Sequence, residues 1–188
     1  MIANQHEMSM KDEGKRARIY TMSKWWQGRE IQLWGALLST AYFLYYASTS
    51  AEWHFIDNIN LLIHEAGHVI FLPFGDFLYV LGGSLFQIFF PFAFVCSFYF
   101  RQQYFSASLL LFWVGQNCIN VSVYAADSIQ MQLPLLSGDT SGHDWHYILS
   151  SLGLLQYTAQ IGGAIFFVGV LIILTAAALS VLTSQSSR

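Results

Sequence analysis

From Phe77 to Phe100 the chain carries no charged side chain, and from Gln102 to Ala126 it again carries none. Runs of this length without an ion suit the hydrocarbon core of a bilayer. No water reaches the backbone there, so every N–H and C=O must be satisfied within the protein, as a helix does. Composition agrees: only 10% of the 188 residues are charged and 55% are hydrophobic, whereas soluble domains carry about a quarter charged residues. The expected fold is all-α, a polytopic transmembrane bundle of about five helices.

The spans are read as Ile31 to Ser48, Ile59 to Phe74, Phe77 to Phe100, Gln102 to Ala126 and Thr158 to Thr183. Glu52-Trp53-His54 and Asp57-Asn58 form a polar break before the second span. Ala159 and Gly163 offer the last span a face of small residues for close helix contact. Of the 8 Lys and Arg, Lys11, Lys15, Arg16, Arg18, Lys24 and Arg29 precede the first span, and only Arg101 and Arg188 follow. This bias places the N-terminus in the cytoplasm of a multi-pass integral membrane protein, with Trp25 and Trp26 as interfacial anchors. Residues 1–30 form a polar, basic arm and 31–188 a single transmembrane domain. The basic cluster is a topology signal, and no nucleic-acid partner is expected. Cys96 and Cys118 both fall in apolar runs and read as small buried hydrophobes.

Inside the second span stands His64-Glu65-Ala66-Gly67-His68. On a helix, H-E-x-x-H sets two imidazoles one turn apart on one face, where both reach a zinc ion. The intervening Glu65 is positioned to act as general base. Two histidines and a carboxylate in an apolar helix are costly, so they read as a functional site.

A catalytic zinc takes three protein ligands, and the candidates for the third are few. Asp127 closes the fourth span. Beyond it, a Gly- and Ser-containing approach leads to His143-Asp144-Trp145-His146, a dense cluster of ligand-type residues from which His143 is the rival candidate. Asn117 and Asn120 could bind the backbone of a substrate, although polar contact between helices is the commoner use of such residues.

His64-Glu65-Ala66-Gly67-His68 in a membrane helix, a following helix with Gly82-Gly83-Ser84, and then an Asn-to-Asp segment together resemble the site-2 protease family of intramembrane zinc proteases. The resemblance covers residues 55–130. It implies a three-helix metalloprotease core, His64 and His68 as ligands of Zn2+, Glu65 as general base and Asp127 as third ligand. The family's third motif reads Asn, prolines, then Asp-Gly. This chain has Asp127-Ser128, with no proline between Asn120 and Asp127, so His143 stays beside Asp127 as a candidate.

The expected activity is zinc-dependent cleavage of a transmembrane or membrane-adjacent peptide segment, with membrane lipid as surroundings. The alternative is a non-catalytic subunit of a larger membrane complex, in which the metal is structural. The two differ in coordination. A structural zinc is closed by four protein ligands, and a catalytic one keeps an open position.

Overall fold

The computed structural model describes residues 28–133 and 142–186, and among these it is helical without a strand. Helix α1 covers 28–48, α2 Phe55–Phe71, α3 Asp76–Phe100, α4 Tyr104–Ala126, α5 Asp144–Ser151 and α6 Thr158–Ser186. Short 3-10 turns occupy Leu72–Phe74 and Leu155–Tyr157. The arm expected over 1–30 lies outside the described residues except for its last three, which are helical. The Gly- and Ser-containing approach to His143, Ser137 to Gly142, lies outside them as well except for Gly142.

Among the described residues, three helices are long and apolar enough to cross a membrane: α3, α4 and the run Leu155–Gln185, which takes in α6 up to Gln185. Helix α2 has 17 residues, about 25 Å at 1.5 Å per residue, shorter than a hydrocarbon core of about 30 Å. Its start differs from the sequence expectation. Asp57 is not part of a polar break but sits in the first turn of α2, where its Oδ2 accepts the His54 backbone N–H at 2.8 Å. A carboxylate there satisfies an orphan donor at the helix N-terminus. A second difference is α5, a short helix in a stretch the sequence suggests is loop.

Polarity is arranged inside out. Asp57, Asn60, Gln87, Gln116 and Asn117 are buried, while Phe55, Leu62, Val69, Phe100, Phe167 and Leu182 point outward. In water such a surface would collapse on itself; against lipid it costs nothing.

Helix contacts depend on glycine. Gly115 of α4 and Gly169 of α6 face each other, so a Cβ on either would stand 2.8 Å from the other's carbonyl oxygen. Gly162 meets Ala126 in the same seam. The face expected from Ala159 and Gly163 is therefore corrected. Both are exposed, and a Cβ at Gly163 would meet nothing within 4 Å. One residue of register separates the two faces, and a uniformly apolar helix offers no polar side from which to read it. Helix α1 closes the other flank: Phe43 stacks on Phe112, and Tyr46 joins Phe112, Ile119, Ile173 and Ala176 in one core.

Helices α2 and α3 approach still more closely. A Cβ on Gly67 would collide with the Gly82 carbonyl, and one on Gly82 with the Phe71 side chain. That approach sets the depth at which the histidines of α2 meet α3.

Candidate metal centre

His64 and His68 lie on the inner face of α2, both buried. Their ring centroids are 4.8 Å apart, as expected for residues one turn apart. The Nδ1 of each ring is held from behind. His68 Nδ1 lies 2.8 Å from the Tyr79 carbonyl oxygen, which can only accept, so this nitrogen carries the hydrogen. His64 Nδ1 lies 3.1 Å from Gln87 Oε1. With both Nδ1 atoms so engaged, both Nε2 atoms are turned to the same point. The His64 Nε2 is 2.8 Å and the His68 Nε2 3.2 Å from a single atom, Asp144 Oδ2.

Asp144 reaches that point because α5 docks between α3 and α4. The Trp145 indole donates to Ser84 Oγ at 3.1 Å, and the Asp144 backbone N–H donates to the Tyr124 hydroxyl at 3.0 Å. Trp145, Ile148 and Leu149 pack on Val121 and Ala125. His143 caps α5, its Nδ1 accepting the His146 N–H, and His146 Nδ1 meets the Ser128 carbonyl at 2.8 Å. Burial pushes the Asp144 carboxyl up, but the hydrogen bonds and charge of His64 and His68 outweigh it and hold the group below its ordinary value.

The donor set fits a zinc ion. Tetrahedral N and O ligands with bonds of about 2.0–2.1 Å sit roughly 3.3 Å from one another, and the two N-to-O separations found here, 2.8 and 3.2 Å, come within about half an ångström of that. Hydrogen bonds on the far side of each ring are the usual support of metal-binding histidines. Gly83 supplies the space. A Cβ there would stand 2.5 Å from His64 Nε2 and 2.7 Å from His68 Nε2, so any side chain would fill the place where an ion fits. Glu65, His64 and His68 each bring a ligand-type atom within 4.8 Å of the others. Glu65 is exposed and lines a cavity of about 550 Å³, whose wall also includes Trp53, Tyr79, Tyr124 and Tyr147.

The other residues singled out in the sequence fall as follows. Asp127 is the C-cap of α4, and its oxygens accept the backbone N–H groups of Gln132 and Leu133 at 3.0 and 2.9 Å. His143 directs Nε2 at Asp127 Oδ2, 3.4 Å away, and Nδ1 at its own helix. Burial lowers its pKa more than Asp127 raises it. Asp127 and His143 are thus each tied to local backbone, the buried His143 Nε2 lies near Asp127 without a hydrogen-bond partner, and the carboxylate on the histidine pair comes from Asp144. Asn117 donates to the Trp113 carbonyl within its own helix and is not among the cavity-lining residues. Asn120 does line the cavity, but its amide is taken up by Gln87 on one side and Asp57 on the other.

Asp144 and Gln87 are the residues the sequence does not single out. Asp144 was visible only as one member of a cluster of ligand types. Gln87, a polar side chain in a helix whose only charge is Asp76, carries the signal of a buried group that must be satisfied. Comparison of the chain with protein-family models, with curated proteins and with solved structures finds no match.

Proposed function

We propose that the chain is a zinc-dependent intramembrane peptidase of the site-2 protease type, a multi-pass membrane protein with a cytoplasmic N-terminus. Its ligands are His64, His68 and Asp144, and Glu65 is its general base. The observation that carries the reading is the convergence of two imidazole Nε2 atoms on one carboxylate oxygen, beside an exposed glutamate at the wall of a cavity.

Bound zinc would polarise a scissile carbonyl and make water a stronger acid. Glu65 would take the proton of an attacking water at the cavity wall and pass it to the leaving amine. The Tyr124 hydroxyl already accepts the Asp144 N–H, which leaves its own proton to donate into the cavity. The apolar surroundings strengthen each of these charge interactions. A cavity of about 550 Å³ accommodates a locally unwound stretch of peptide, so the substrate is a transmembrane or membrane-adjacent segment. For a structural zinc, four protein ligands would have to close the site. The nitrogens of His143 are directed at Asp127 and His146, which favours the catalytic reading.

The test uses the full chain in liposomes with a mixture of synthetic single-span peptides, products being read by mass spectrometry. The wild type is expected to release fragments in a zinc-dependent way, and Glu65→Gln to lose at least about 100-fold in rate. Equal cleavage by Glu65→Gln and wild type would overturn the assignment.

A further inference from the structure

Two amides, Gln87 buried and Asn120 half-buried, join His64 to the buried carboxylate of Asp57 in the first turn of α2. His64 Nδ1 faces Gln87 Oε1 at 3.1 Å, Gln87 Nε2 donates to Asn120 Oδ1 at 2.7 Å, and Asn120 Nδ2 donates to Asp57 Oδ1 at 3.1 Å. Amide groups can be turned either way, so the direction of such a chain must be fixed at its ends. It is fixed here twice over.

The first anchor is Asp57 itself. A carboxylate only accepts, and donors surround this one: the Tyr46 hydroxyl at 2.8 Å, Gln116 Nε2 at 3.1 Å and the His54 N–H at 2.8 Å. The second anchor is the Trp113 indole, which only donates. It donates to Asn60 Oδ1 at 2.9 Å. Asn60 therefore presents its NH2 to Gln116 Oε1, also at 2.9 Å, and Gln116 its NH2 to Asp57. Both anchors require Asp57 to be the acceptor. Asn120 must then show its NH2 to Asp57 and its oxygen to Gln87, and Gln87 must show its oxygen to His64. The imidazole meets an acceptor and carries its hydrogen on Nδ1.

We infer that Asp57 is a positioning residue of the metal centre: through Asn120 and Gln87 it keeps the His64 hydrogen on Nδ1 and the Nε2 electron pair free for the ion. The inference rests on the metal reading of the site. Outer partners of this kind are worth about 10–100-fold in metal affinity, and Asp57 exerts its share across two intervening side chains. It also gives a carboxylate that is 2% exposed a use beyond capping α2, in an apolar bundle where burying its charge costs stability.

The full chain in detergent supplies the test, with zinc affinity measured by chelator competition and the ligand geometry by the visible spectrum of the cobalt(II) form. Asp57→Asn must give up either the His54 N–H or the alignment of Asn120, and Asn120→Leu cuts the chain while leaving Asp57 its other donors. Each is expected to lower zinc affinity about 10–100-fold with unchanged helical dichroism. Gln87→Glu puts an acceptor directly against His64 Nδ1, so adding it to either variant is expected to restore most of the loss. Restoration separates positioning from packing, because a second buried charge only worsens a packing defect. If Asp57→Asn fails to fold, Asn120→Leu with and without Gln87→Glu decides the matter. Folded variants that bind zinc like the wild type, or a Gln87→Glu change that restores nothing, would overturn the relay. A wild type that binds zinc tightly and cleaves no peptide removes the peptidase reading and leaves the relay standing. One that binds no zinc removes both.

Discussion

His64 Nε2 lies 2.8 Å from Asp144 Oδ2, across 80 positions of sequence. The same oxygen meets His68 Nε2 at 3.2 Å. One carboxylate atom thus marks the point at which two rings aim, and the measurable consequences of the site begin there.

Asp144→Ala removes the third donor. The expected outcome is a loss of zinc affinity beyond the roughly 10–100-fold that supporting residues contribute, read by chelator competition. Asp127→Ala breaks the contacts with the Gln132 and Leu133 N–H groups and leaves zinc stoichiometry at that of the wild type. The reverse result would return the third position to Asp127.

Gly83→Ala inserts a methyl group 2.5 Å from His64 Nε2 and 2.7 Å from His68 Nε2. Those atoms belong to rings tied to Gln87 and Tyr79, so they cannot retreat without breaking a hydrogen bond. Metal content measured by elemental analysis is expected to fall below about a tenth of the wild-type value, on the scale of lost support to a metal-binding histidine. Full zinc loading of the variant would show that the space beside Gly83 is not where the ion sits.

The seam between α4 and α6 yields a stability prediction independent of any chemistry. Gly169→Leu forces α6 away from the Gly115 carbonyl and Ile119, and overpacking of this kind costs about 1–3 kcal/mol or more. Gly163→Leu enters open space and should change stability by less than about 0.5 kcal/mol. Thermal unfolding in detergent measures both. Equal effects would mean that the register of α6 is wrong.

Acid should weaken the metal-free protein partly through His143, whose pKa burial lowers from its ordinary 6.5, with Asp127 opposing in part. A depressed folded-state pKa means that the unfolded chain takes up the proton first. The contribution is present above pH 6.5 and is lost as pH falls towards the folded value. His143→Asn keeps a residue able to cap α5 and removes the titration. Its melting temperature should fall less between pH 7 and 5 than that of the wild type. Parallel profiles would mean that His143 titrates alike in both states.

What was legible in the sequence is what neighbours along the chain decide. The charge-free runs around α3 and α4 required helices because lipid offers the backbone no partner. The spacing of His64 and His68 put both rings on one face because a helix repeats every 3.6 residues. Local pattern reached less far for Asp57. It looked like part of a polar break and proved to be inside the first turn of α2, since its helix-capping role depends on His54 and its burial on Tyr46, Gln116 and Asn120.

The sequence by itself therefore determined an all-helical chain carrying an H-E-x-x-H face in an apolar helix. Only the tertiary structure decided which acid meets that face. Asp127, His143 and Asp144 are all suitable ligand types, and nothing in their spacing ranks them. Asp144 faces the pair because Trp145 hydrogen-bonds Ser84 and Tyr124 holds the Asp144 N–H. Those contacts form only when α5 is already docked against α3 and α4. Docking is a matter of shape and partner across long stretches of chain, and a helical period read along one segment carries no information about it.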